Sequence, residues 1–580
     1  MSATTFNAKK IEKSARDALI DIQGLSIGFA ATNGGLPIVR GVDLTIHAGE
    51  CVALVGESGS GKSITARSLL HLAGEGSVID ARRFLIKGRD ARQFREADWR
   101  RLRGTVTGLV MQDALVSLDP LRTIGQEVAE VVSEHRILRA RRDIDARVLE
   151  ILSKVGIPHP ESRVLQYAHQ LSGGLRQRAL IASAIAADPD LIIADEPTTS
   201  LDVTVQAQVL QVLAERVREG AGLLLISHDL AVVAGIADRV IVMRDGRVVD
   251  SGPTADVLSD PRHPYTRQLL AAIPSSQSRG SRLSSARFDI SVSGIQPLGV
   301  VTRDPLPARK VASGDVVLQV NGISKSYAHP RAAAQQSPTT AALRDVSFVV
   351  KAGEVVGIVG ESGSGKSTCA KIVLGLLAPD QGDVALLGQA WSGLREAERR
   401  SLRPRLQYIP QDALSSFDPR YRVLDVIGEN LAGVRTRRAR RERVVDLLEQ
   451  VGLRAEVLER YPRLLSGGQR QRVLIARALA AEPAMIVCDE PVSALDICIQ
   501  AQVLDLLGEL QARLGTALLF ISHDLGVIQH LADRVLVFHD GRIVEQGPVG
   551  EVFGSPEDDY TRTLLASVPS IERSLVQLAS

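Results

Sequence analysis

The stretch ECVALVGESGSGKS, Glu50 to Ser63, couples a short apolar run to a glycine-rich loop, and the same eight letters, GESGSGKS, return at Gly360 to Ser367 behind EVVGIVG. An apolar run with β-branched residues, ended by glycine and followed by a helix-compatible segment, predicts a buried strand, a tight loop and a helix. The pattern GxxxxGK[ST] lets backbone N–H groups turn toward bound phosphates, and the helix that follows adds a favourable dipole. Gly56, Glu57, Ser58, Gly59, Ser60, Gly61, Lys62 and Ser63 are therefore candidate nucleotide-binding residues. So are Gly360, Glu361, Ser362, Gly363, Ser364, Gly365, Lys366 and Ser367. Lys62 and Lys366 are expected to reach the outer phosphates, and Ser63 and Ser367 to ligate Mg²⁺.

The repeat extends well beyond the loop. Gln112, Ser172, Asp195 and His228 find counterparts at Gln411, Ser466, Asp489 and His523, in the same order and at nearly constant spacing. The halves also end alike, in HPYTRQLLAAIPS (His263 to Ser275) and DDYTRTLLASVPS (Asp558 to Ser570). A chain of 580 residues exceeds what one hydrophobic core supports, about 250 to 300 residues. We read a tail over 1–19, a first domain over 20–274, a linker over 275–315, a second domain over 316–568 and a tail over 569–580. The linker segment is rich in Ser, Arg, Gly and Pro and has no sustained helical or strand period. The polar insert Ala328 to Ala342 reads as a surface loop between early strands of the second domain.

LIIADE, GLLLISH, AMIVCDE and ALLFISH are further short apolar strands, and alternation with helical segments predicts a parallel or mixed α/β sheet in each half. Two of these runs end in Asp-Glu. Asp195 and Asp489 are expected to hold Mg²⁺, and Glu196 and Glu490 to act as general bases on the attacking water.

LSGGLRQR (Leu171 to Arg178) and LSGGQRQR (Leu465 to Arg472) have no place in a simple phosphate-loop enzyme. With them the chain resembles the ATP-binding cassette (ABC) ATPases. The resemblance implies two tandem ABC-type P-loop ATPase domains of the α/β class, each with a mixed α/β core, an antiparallel β part and a helical subdomain. It implies that Ser172, Gly173 and Gly174 serve the ATP held by Gly360 to Ser367, while Ser466, Gly467 and Gly468 serve the ATP held by Gly56 to Ser63. On the same resemblance, Gln112 and Gln411 sense Mg²⁺, His228 and His523 contact the γ-phosphate, and SLD (Ser200 to Asp202) and ALD (Ala494 to Asp496) form the D-loops. Phe29 and Tyr327 are candidates to stack on adenine. Both halves keep all of these residue types, so two hydrolysis-competent sites are expected.

DALVSLDP (Asp113 to Pro120), DALSSFDP (Asp412 to Pro419) and the paired YTRxLL elements are similar to the ATPases of dipeptide, oligopeptide and nickel importers, here fused in one chain. The resemblance implies an ATP-hydrolysing subunit on the cytoplasmic face of the membrane, two permease subunits and an extracytoplasmic solute-binding protein. Peptides are the first substrate class, with nickel or metal chelates and glutathione as alternatives. Ala114 and Ala413 stand where that family often has proline, and neither half carries the cysteine-rich tail that can hold an iron-sulfur cluster, so none is expected.

A soluble twin-cassette ATPase acting on ribosomes remains a further alternative, although the Ser/Pro/Gly-rich linker differs from the charged helical linkers of that class. Repair ATPases usually carry zinc modules or coiled coils, absent here. A net charge of +2 gives no bulk attraction for polyanions, and the basic runs RILRARRD and RTRRARRER read as solvated faces, so no nucleic acid partner is expected. The longest apolar stretch, Ala221 to Met243, is broken by charges, so no transmembrane segment is expected. The N-terminus lacks a signal-peptide core. Four scattered cysteines, Cys51, Cys369, Cys488 and Cys498, read as buried small hydrophobes.

Overall fold

A computed structural model describes residues 18–29, 37–199, 201–291, 298–309, 314–327, 340–431, 433–434, 436–493 and 495–569. Ser200, Ala494 and all but the last three residues of the polar insert Ala328 to Ala342 lie outside the described residues, as do 1–17 and 570–580.

The apolar run before the first glycine loop forms the strand Cys51–Val55, the third of six in the order Arg247–Pro253, Arg239–Arg244, Cys51–Val55, Gly222–Ile226, Leu191–Asp195, Thr107–Val110. All neighbours are parallel except the first pair. The strand is buried throughout because both faces of the sheet are covered. Val52 and Leu54 point into one core, shared with the strands Ala18–Phe29 and Val39–His47, whereas Cys51, Ala53 and Val55 point into the core under the helices. Side chains that alternate across a strand account for this division.

The second half repeats the plan: Leu406–Ile409, Met485–Asp489, Ala517–Ile521, Val355–Gly360, Arg534–His539, Arg542–Pro548. Val356 and Ile358 face one core and Val355 and Val359 the other. Each half adds an antiparallel sheet, led by Ala18–Phe29 with Val39–His47 and by Val316–Tyr327 with Thr340–Lys351. Each also adds a helical part, including Ile124–Glu134, Arg141–Lys154 and Gly173–Ile185 in the first half and Val423–Gly428, Arg437–Gln450 and Gly467–Leu479 in the second. All four cysteines are buried and unpaired. Within the second basic run Arg438 pairs with Glu442 at 2.9 Å and Arg443 with Glu482 at 3.0 Å, ion pairs on the exposed surface of the helical part.

The segment 275–315, read from its composition as a linker, contains paired strands and side-chain anchors that its sequence period does not record. Arg287–Ser291 and Leu298–Thr302 pair as an antiparallel hairpin, and the segment docks on the second half. Leu283 enters the second half's core, and the buried Asp505 carboxylate accepts from the N–H groups of Leu283 (2.7 Å) and Ser284 (2.8 Å). Arg279 and Arg309 both reach Asp533 at 2.9 Å, and the Ser278 hydroxyl lies 2.9 Å from Nδ1 of His530. Burial pushes the His530 imidazole down to about 4, so it stays neutral. The segment's order comes from receptors more than 200 residues away, which local composition does not encode. Asp505→Ala strands the buried Leu283 donor and releases that of the exposed Ser284, and is expected to destabilise this docking by about 2 kcal/mol. The check is a lower thermal midpoint together with faster proteolysis within 275–315.

Candidate active site

The glycines of each loop are sterically required at its first position. Gly56 has φ 142°, and a Cβ there would lie 2.1 Å from the Met243 carbonyl oxygen; at Gly360 (φ 143°) the obstacle is the Phe538 carbonyl at 2.2 Å. The loop therefore leaves its strand pressed against the backbone of the neighbouring one. Lys62 folds over the loop and donates from Nζ to the carbonyls of Gly56 and Glu57, both at 2.8 Å, and Lys366 does the same to Gly360 and Glu361 at 2.7 Å. Burial lowers both ammonium pKa values, against the pull of nearby carboxylates.

Asp195 ends the strand Leu191–Asp195 almost fully buried, accepting from Ser63 Oγ at 2.8 Å and Arg67 Nη2 at 3.4 Å. Burial pushes its pKa up. Asp489 is placed alike, but accepts from the Tyr408 hydroxyl at 3.3 Å, and burial, aided by the charge of Glu490, raises it too. The next residue turns sharply: Glu196 (φ 50°) and Glu490 (φ 47°) adopt the left-handed region, a strained conformation for glutamate that costs on the order of 1–3 kcal/mol.

That turn gathers the residues that sequence spacing alone keeps apart. Oε2 of Glu196 accepts from Gln112 Nε2 at 2.8 Å and from Thr199 Oγ1 at 3.0 Å, and lies 3.4 Å from His228 Nδ1. Oε2 of Glu490 accepts from Gln411 Nε2 at 2.7 Å and lies 3.3 Å from His523 Nδ1. Burial disfavours both charged forms, yet each glutamate ends below its ordinary value and each histidine above, because the hydrogen bond and mutual charge outweigh burial. The glutamate contribution to stability is complete above its unfolded value near 4.5 and is lost as pH falls through the lowered one. The histidine contribution is complete below 6.5 and is lost as pH rises through the raised value. The destabilisation caused by His228→Gln should accordingly be greatest between pH 4.5 and 6.5 and shrink at higher pH, as thermal melts across the series will read.

Ser172 and Ser466 cap the helices Gly173–Ile185 and Gly467–Leu479. Ser466 forms a reciprocal capping box with Gln469, whereas the first half has Leu175 there and no such box. The second signature glycine admits the helix after the D-loop: a Cβ on Gly174 would lie 2.9 Å from Val205 Cγ1, and one on Gly468 2.5 Å from Ile499 Cγ2. No hydrogen bond among the described residues joins either signature turn to a phosphate loop.

The two halves meet at Asp202 and Asp496. Oδ2 of Asp202 accepts from the Ser362 N–H of the opposite phosphate loop at 3.2 Å, while its Oδ1 caps Val205 at 2.9 Å. Reciprocally, Asp496 and Ile497 wall a cavity of about 10 Å³ with Gly56, Glu57 and His228. Cys498 packs into the first half's core and Val203 into the second's. Lys62 thus feels the charge of Asp496, and Lys366 that of Asp202.

Phe29 ends its strand half-buried, near Gly74, and Tyr327 ends the corresponding strand exposed. One pair of contacts was not foreseen from the sequence: the Tyr265 hydroxyl accepts from the Glu57 N–H at 3.0 Å, and the Tyr560 hydroxyl from the Glu361 N–H at 2.9 Å. The recurrence of YTR in both halves was the available signal.

Two family models match the chain, each once in either half. The family described as "ABC transporter" matches residues 39–199 and 343–493. The chain belongs to the ABC transporter family. It is an ATPase with two ATP-binding cassettes, and a second family, "Oligopeptide/dipeptide transporter, C-terminal region", matches 249–288 and 544–579. The oligopeptide transport ATP-binding protein OppD of Mycobacterium tuberculosis is 40% identical over 602 residues, covering 95% of this chain and 98% of that one. The glutathione import ATP-binding protein GsiA of Salmonella typhimurium is 40% identical over 575 residues, covering 97% and 91%. Among solved structures, the archaeal ribosome recycling factor aABCE1, in complex with ribosomal stalk protein aP1, aligns with TM-score 0.58 and 20% identity over 91% of this chain and 90% of that one, a likeness of fold.

Proposed function

We propose that this ATPase is the energy-coupling subunit of an importer, bound at the cytoplasmic face of the membrane to two permease subunits that take up peptides delivered by an extracytoplasmic solute-binding protein. Glutathione is the second reading, favoured by the equal identity to GsiA. The observation that carries the proposal is the C-terminal oligopeptide/dipeptide transporter region, present after both cassettes. Its support in the fold is a set of exposed apolar side chains just beyond each Gln: Leu115, Val116 and Leu121 in the first cassette, Leu414 and Tyr421 in the second. A soluble factor has little use for such a surface, whereas a permease segment would cover it.

Each site has the parts that phosphoryl transfer to water needs. Lys62 and Lys366 neutralise phosphate charge, and loop N–H groups orient the triphosphate. The ionised Glu196 or Glu490 takes a proton from the attacking water as its oxygen bonds the γ-phosphorus and the bond to the ADP oxygen breaks. Gln112, Thr199 and His228 fix the Glu196 carboxylate; Gln411 and His523 fix that of Glu490. Ser63 Oγ beside the Asp195 carboxylate is a hard-oxygen donor set that suits Mg²⁺; Ser367 and Asp489 supply the same donor types in the second cassette, and Gln112 and Gln411, held on the neighbouring glutamates, would join them. When bound, the ion supplies further charge neutralisation on the phosphates. Ser172, Gly173 and Gly174 complete the site of Lys366, and Ser466, Gly467 and Gly468 that of Lys62. Phe29 and Tyr327 stack on adenine.

Purification of the tagged chain from membranes tests the importer reading. Two multi-span partners are the expected result, and a peptide in their binding protein names the cargo; capture of ribosomes without permeases overturns it.

A further inference from the structure

We propose that Tyr265 and Tyr560 are positioning residues of the two nucleotide sites: each hydroxyl pins the second residue of its phosphate loop from behind, so that the C-terminal transporter region holds the loop in its phosphate-ready form. The proposal rests on reading the loops as ATP sites.

Its basis is a relay present in both cassettes. The Tyr265 hydroxyl accepts from Glu57 N–H, and the carbonyl of the same Glu57 accepts from Lys62 Nζ at 2.8 Å. In the second cassette Tyr560 accepts from Glu361 N–H, and Glu361 carbonyl accepts from Lys366 Nζ at 2.7 Å. One residue therefore joins the tyrosine to the lysine that meets the phosphates. Fixing the Glu57 or Glu361 N–H fixes the planar peptide unit it shares with Gly56 or Gly360, whose carbonyl also accepts from the lysine Nζ at 2.8 Å or 2.7 Å, and with it the ammonium.

The tyrosine itself is held rigidly. In the first cassette Tyr265 is fully buried, and the Arg244 guanidinium sits 4.8 Å from its ring centroid; in the second, His539 stacks on Tyr560 at 3.9 Å and 15°. The residues just before Arg244 and His539 are Met243 and Phe538, whose carbonyls press on the first loop glycines. Asp250 ties the helix Pro264–Ala271 to its neighbouring strand, accepting from His263 N–H at 3.1 Å and Thr266 Oγ1 at 3.0 Å. Glu545 does so in the second cassette, accepting from Glu557 N–H at 3.0 Å and Asp558 N–H at 3.2 Å. The bracing strand end and the tyrosine form one unit against the back of the loop. Burial raises the pKa of both phenols, so they act as neutral acceptors at any working pH.

Tyr265→Phe/Tyr560→Phe keeps both rings and removes only the hydroxyls. Titration of the full chain with trinitrophenyl-ATP and trinitrophenyl-AMP, alongside nucleotide-free thermal melts, tests the proposal. Loss of one hydrogen bond per site predicts about fivefold weaker binding of the triphosphate probe, with the monophosphate probe unchanged and the melting midpoint lowered by no more than a few degrees. Equal weakening of both probes, or a lower midpoint with triphosphate affinity intact, overturns the proposal and leaves the tyrosines as ordinary core residues. Lys62→Ala/Lys366→Ala separates the two levels: if that variant still prefers the triphosphate probe, the phosphate-loop reading falls and takes this proposal with it. If it loses the preference while the Phe variant keeps wild-type affinity, the brace alone falls.

Discussion

Replacing Glu196 and Glu490 together with glutamine leaves ATP bound and cuts its hydrolysis by about a thousandfold, the scale of a lost general base. The substitution is close to isosteric and keeps an oxygen for the Gln112 or Gln411 amide at the 2.8 Å and 2.7 Å contacts. What disappears is the capacity to take a proton, and the charge that holds His228 and His523 above their ordinary pKa. The glutamate already sits in a left-handed turn, stabilised by the Ile226 carbonyl accepting its N–H at 3.0 Å, so the side chain's direction is set by backbone that glutamine shares. ATP then persists across the seam, and the cassettes stay together. Rapid filtration of labelled nucleotide and phosphate-release assays separate binding from turnover; full phosphate release in the double variant removes these residues from the chemistry.

The parts of this site that were legible in the sequence are those whose requirement is local. A buried strand needs an unbroken apolar run, as in Cys51–Val55, and a loop that must pass a neighbouring carbonyl needs glycine, as at Gly56. Duplication sharpened every such signal, since a chance motif does not recur in order. What remained hidden is contact between distant segments. Arg67 on Asp195, Tyr408 on Asp489 and the tyrosine brace join residues 80 to 210 positions apart, and no period or composition records them. The segment 275–315 shows the same limit from the other side: its docking depends on Asp505, Asp533 and His530, so its own Ser/Pro/Gly content reads as slack.

Combining single-site variants tests whether each ATP is shared between cassettes, and the expected effect is nearly all or none. In Glu196→Gln only the site containing Lys366 turns over, and in Glu490→Gln only the site containing Lys62. Adding Ser172→Ala to the first should remove the remaining activity, about a hundredfold loss if the hydroxyl supports developing phosphate charge; adding it to the second should change little. Ser466→Ala should give the mirror pattern. The geometry behind this is a chain of contacts. Ser172 and Gly174 open a helix that packs on Val205, Val205 is capped by Asp202, and Asp202 accepts from Ser362 in the opposite phosphate loop. The first signature is thus tied to the second cassette's loop through three contacts, while its own loop is held by Tyr265 and faces Asp496. If Ser172→Ala instead silences the Glu490→Gln background, each cassette works alone and the crossed D-loops are packing only.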